Sequence, residues 1–168
     1  MSDSKVEPWL RGTHRELPPV IRGVVHALEL AREDVLRWCE SLTLAQLEVR
    51  PSGIAPVAFH VRHIVRSADR LLTYAEGKQL SAAQLEALSS EMAPTAAADE
   101  LFQEFRDGID HALARVVAFG AADLTQSRTV GRKALPTSVG GLLVHVADHT
   151  QRHTGQAITT AKIVAAER

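Results

Sequence analysis

The stretch from Val139 to Val164 constrains this chain more than any other. Val139, Leu142, Leu143, Val146, Ala157, Ala161 and Val164 recur at intervals that put them on one side of a helix, and no proline interrupts them. The same segment carries histidines at steps of four, His145, His149 and His153. Each step turns roughly 400°, so successive imidazoles drift only about 40° around the axis. By that geometry His153 falls near the middle of the apolar side, His149 just beside it and His145 towards its edge. Two inward imidazoles one turn apart can grip one metal ion, and such an ion needs a further donor from another element.

Three other long helical patterns can supply that element. Val20, Val24, Val25, Leu28, Ala31, Val35 and Leu36 predict a helix to about Cys39, with Pro18 and Pro19 suited to its first turn. Thr43 to Val49 reads as a short helical turn and Arg50 to Gly53 as a loop. A second long helix is expected from about Pro56 to Glu76, closed by Gly77. Ser81-Ala82-Ala83-Gln84 has capping-box form and starts a shorter helix to about Met92, which Pro94 ends. A third long helix follows from about Thr95 to Phe119, with Gly120 at its end. Ala121 to Pro136 reads as a connector without strand-like alternation, and Thr137 as the N-cap of a final helix to about Ala165. Four long helices joined by substantial connections predict an all-α chain, a four-helix bundle not necessarily of simple up-down-up-down order.

At 168 residues, one domain (1–168) is expected, with residues 1–18 as a lead-in whose Trp9 and Leu10 anchor onto the body. The 45% hydrophobic and 4% aromatic content implies a core of Ala, Leu and Val. A net charge of −1 gives no electrostatic footprint for nucleic acid. The single cysteine, Cys39, excludes an intrachain disulfide and lies in a helical pattern as a buried thiol. Met1 to Pro8 is polar and lacks the apolar core of a signal peptide, and no run reaches the length of a membrane span. A soluble, cytoplasmic protein is the expectation.

The remaining histidines are His14, His26, His60, His63 and His111. His60 and His63 share the second long helix, so either is a natural third donor from a facing helix; periodicity favours His60, which lies nearer the apolar arc. His14, His26 and His111 read as solvated or hydrogen-bonded structural residues. Asp148 points to a different face from His149, and Arg66, Asp69 and Arg70 read as solvated or salt-bridged. No His-Glu-x-x-His, phosphate loop, Gly-x-Ser-x-Gly or Cys-x-x-Cys occurs, and no Glu-x-x-His pair of the di-iron kind.

Two stretches carry a resemblance. Val57-Ala58-Phe59-His60-Val61-Arg62-His63-Ile64 and His149-Thr150-Gln151-Arg152-His153-Thr154-Gly155-Gln156 resemble the two signature segments of the DinB/YfiT-like superfamily of four-helix-bundle metalloproteins, the second having its closing His-x-x-x-His-x-Gly-Gln form. Helix number and lengths agree over roughly residues 10 to 165. The resemblance implies the ligand set His63, His149 and His153 around a divalent ion, nickel or zinc, with water completing the sphere. It makes His60 and His145 neighbours of the site, and implies long crossover connections and a homodimer. Its register takes precedence here over the helical wheel, since a ligand in a groove between helices need not sit mid-face. Gly155-Gln156 can reflect close helix packing and a side-chain hydrogen bond.

Three neutral imidazoles leave a divalent ion its full charge and an open position, which lowers the pKa of bound water towards ~7 or accepts a thiolate. The expected function is a metal-dependent enzyme acting on a small-molecule substrate, a hydrolase or a small-thiol-dependent transferase. The alternatives are a stress-response or interaction module in which the ion only braces the helices, and a metal-free helical protein with structural histidines. No general base or substrate pocket is legible in the residues.

Overall fold

Residues 6–166 are described by a computed structural model of the chain. Helix α1 (Pro19–Cys39) starts on proline at its first position, where a missing N–H costs nothing, and buries Ile21, Val24, Val25, Leu28, Ala31 and Val35. Helix α2 (Leu44–Glu48) is one short turn fixed by a reciprocal Thr43–Gln46 capping box. The expected loop at 50–53 is a 3-10 turn over Pro51–Gly53. Helix α3 (Val57–Ala75) ends at Gly77, which takes φ +77° as a residue without Cβ does readily.

Ser81 and Gln84 close a capping box on helix α4 (Ala82–Ser89), which stops three residues short of the expected Met92. Helix α5 (Ala98–Ala118) begins three residues later than expected and passes into a 3-10 turn, Phe119–Ala121, that contains Gly120. Helix α6 (Val139–Ala166) is the longest element.

The chain is mostly helical, as an all-α fold requires, and the connector departs from the purely helical expectation. Strands β1 (Ser127–Val130) and β2 (Leu135–Ser138) form an antiparallel hairpin with Ser127 opposite Ser138 and Val130 opposite Leu135. Both are four residues long with one large apolar residue each, so no apolar alternation announces them, and Pro136 is tolerated because a two-stranded ribbon has only edges. The hairpin also moves the cap of α6. Thr137 lies in β2, and Ser138 Oγ accepts from Gly141 N at 3.1 Å in its place.

The four long helices pack in the cyclic order α1, α6, α3, α5, and α1 and α3 make no comparable contact with each other, nor do α5 and α6. One continuous, mainly aliphatic core fills the space between them, with Phe105, Ile21, Leu28, Ile64, Leu72 and Leu143 fully buried. Each such side chain contributes about 1.5–3 kcal/mol by leaving water. α3 and α5 approach most closely at Gly108, where an added Cβ would lie 2.5 Å from Val65 Cβ. Cys39 is fully buried, and burial pushes its thiol up to about 12, as expected of a structural cysteine. Trp9 and Leu10, the expected anchor, are exposed instead; Pro8 is the buried residue of that 3-10 turn, and the Trp9 indole donates to Glu7. No helix among the described residues is long and apolar enough to cross a membrane.

Candidate metal centre

The packing of α3 on α6 brings His63, His149 and His153 together, with one ring nitrogen of each within 4.8 Å of the others. On α6 the apolar positions named from periodicity are all buried, and the four-residue step sets His149 and His153 with ring centroids 4.6 Å apart on the side that faces α3. On α3, His63 meets them at 5.0 Å and 4.3 Å between centroids, and Phe59, one turn earlier, stacks on His63 at 5.1 Å and 18°. All three imidazoles are half-buried.

Each of the three has a partner for Nδ1. His63 Nδ1 donates to Glu91 Oε2 at 2.6 Å. His149 Nδ1 lies 3.4 Å from Ser67 Oγ, one turn beyond His63 on α3. His153 Nδ1 lies 3.1 Å from Nδ1 of His60. With Nδ1 engaged in all three, Nε2 is the nitrogen left over, and Nε2 of His63 and of His149 stand 3.5 Å apart. Two imidazole nitrogens on one tetrahedral ion at about 2.0–2.1 Å lie roughly 3.4 Å from each other, so this pair already has the spacing that ligation requires.

Burial sets the protonation states. His149 is pushed down to about 4 by burial first, then by the charge of His63, His145 and Arg152, with Asp148 opposing. His153 is pushed down to about 3 by burial and then by His63, His149, His60 and Arg152. His60 is pushed down to about 4 by burial and by His63. Near neutral pH these rings carry no proton on one nitrogen, the form that donates a lone pair to a metal.

Glu91 supports the group from outside and is itself buried. Burial alone would raise its carboxyl, but hydrogen bonds from His63 and Arg70, and their charges, outweigh burial and hold it low. Arg70 Nη1 donates to Oε1 at 2.7 Å, leaving Oε2 to His63. Arg62 Nη1 donates to the carbonyl oxygens of Glu91 and Ala93, and Arg66 Nη1 to Ala87 O and Ser90 Oγ. Arg62, Arg66 and Arg70 recur every four residues on α3, and together they strap the end of α4 and the segment after it against the helix that carries His63.

The remaining expectations divide. His60 is the more buried of the pair on α3, as its place on the apolar arc implies, but it faces His153 and stands outside the three-donor group. His145 is exposed, 5.4 Å from the His149 ring and 3.6 Å from Asp148, which also accepts from Arg152. His111 is exposed on α5. Gly155 is not a close-packing glycine, since an added Cβ would meet nothing within 4 Å, and Gln156 is exposed. Glu91 falls inside the short helix expected to reach Met92, but α4 stops at Ser89, so helical periodicity gives its side chain the wrong frame. Ser67 is legible in retrospect as the residue one turn after His63.

No curated protein matches the chain. A family model described as the DinB superfamily matches residues 27–157, which take in all three clustered histidines, Glu91 and most of the helical core, and the chain belongs to that superfamily.

Proposed function

We propose that His63, His149 and His153 bind one divalent metal ion and that this ion is the reactive centre of an enzyme, a hydrolase or a small-thiol-dependent transferase. The observation that carries the reading is the convergence of one ring nitrogen from each of the three within 4.8 Å, with a neighbouring side chain against each Nδ1. A carboxylate behind a ligating imidazole fixes its tautomer and raises its basicity, and the Arg70–Glu91–His63 chain has that form. Nickel or zinc suits an all-imidazole set.

When bound, such an ion supplies Lewis acidity, lowering the pKa of a coordinated water towards ~7 or holding a thiolate. The chain's own residues do the rest. Glu91 keeps the proton of His63 on Nδ1, Ser67 and His60 direct His149 and His153, and Phe59 covers one face of His63. Among the described residues the donor group has three members, which leaves a coordination position for substrate and favours a reactive ion over one that only braces α3 against α6. A bundle of the DinB/YfiT type with long crossovers, and a homodimer, belong to this reading through family membership.

Metal analysis of tag-free protein tests the proposal. His111→Ala is expected to hold as much nickel or zinc as the wild type, and His153→Ala one equivalent less. Equal metal content in the two variants refutes the ligand assignment. Full occupancy with no turnover across ester, amide and thiol-transfer substrates leaves the bracing role as the correct one.

A further inference from the structure

A second group of metal-type donors sits between α1 and the segment that precedes it. His26 and Glu29 are three residues apart on α1 and so neighbours on the helix surface, and His14 reaches them from the preceding segment. One donor atom from each lies within 4.8 Å of the others. His14 Nε2 is 2.7 Å from Glu29 Oε1, and the His14 and His26 rings have centroids 5.6 Å apart. His26 is buried, with the Thr13 hydroxyl 3.1 Å from its Nε2.

The backbone is committed to this arrangement. His14 takes φ +56°, the left-handed region that residues with a side chain seldom occupy, two residues after Gly12 at φ +68°. An ion pair between His14 and Glu29 accounts for two of the three groups and leaves unexplained why a second imidazole is buried against them.

We propose that His14, His26 and Glu29 form a second divalent-cation site, of the two-imidazole, one-carboxylate type that suits zinc. His26 also lines a cavity of about 450 Å³ together with Arg15 and Arg22. The Glu16 carboxylate, 3.9 Å from His14 Nδ1, adds a second negative charge beside the ion.

Zinc binding to tag-free, chelator-stripped protein, counted by equilibrium dialysis and metal analysis, tests this independently of the three-histidine centre. The double variant His149→Ala/His153→Ala is expected to retain one equivalent, and adding Glu29→Gln or His14→Ala to weaken that binding at least tenfold with an unchanged circular dichroism spectrum. In the otherwise wild-type chain, Glu29→Gln is expected to lose one equivalent whatever the three-histidine cluster holds. No zinc on a folded double variant, or a stoichiometry that Glu29→Gln leaves unchanged, overturns the proposal.

Discussion

An imidazole can offer a metal only the nitrogen that its other hydrogen bond leaves free, so the groups behind the three histidines matter nearly as much as the histidines. Glu91→Gln keeps the size of the side chain and removes the charge that Arg70 and His63 share. Its metal affinity is expected to fall by about 10–100-fold, read by competition with a chromogenic chelator. A second consequence concerns acid. His149, His153 and His60 titrate at about 4, 3 and 4 in the fold, below the 6.5 of a free imidazole. The unfolded chain therefore binds more protons between about pH 3 and 6.5, so stability from these groups is present above that window and declines as pH falls through it. In excess chelator the urea midpoint is expected to drop between pH 7 and pH 5, and to drop less in His149→Ala/His153→Ala. Equal slopes in the two proteins would remove the histidines as the cause. At this scale the sequence reached far on α6, where one uninterrupted helix fixes every direction. It was ambiguous on α3, because the wheel reports burial and His60 is indeed the more buried ring, whereas donor geometry depends on what faces it.

At the scale of elements, glycines separate contact from propensity. Gly108 sits where α5 touches α3, so Gly108→Ala drives a methyl into Val65 and is expected to destabilise by about 1–3 kcal/mol despite alanine's better helix propensity. Gly155 is interior to α6 and faces open space, so Gly155→Ala is expected to stabilise by about 0.5–1 kcal/mol. Chemical denaturation of the pair checks both signs. Long helices were legible from their apolar periods to within a few residues, and the Ser81 capping box was visible as a motif. The hairpin was not. Its strands hold only Val130 and Leu135 as large apolar residues, and its order comes from backbone pairing and from Arg128, which donates to Ala75 O at the end of α3. Such contacts leave no pattern in a single sequence.

For the molecule as a whole, the four long helices could be counted from sequence, but their neighbours could not, because an amphipathic face records that it is covered and not by what. The packing order sets α1 diagonal to α3 and α5 diagonal to α6. Every major helix interface therefore joins the first half of the chain to the second. Fragments cut between α4 and α5 are each expected to lack a cooperative unfolding transition, and mixing them to restore one, as followed by circular dichroism against temperature. A fragment that melts cooperatively alone would contradict this account. The same order has a meaning on the ribosome. When α1 and α3 have emerged, their apolar faces have nothing native to cover them, and α6, which packs on both, follows α1, α3 and α5 in the chain. The nascent chain thus presents uncovered apolar surface until α6 emerges, and its core closes only with the segment that carries His149 and His153.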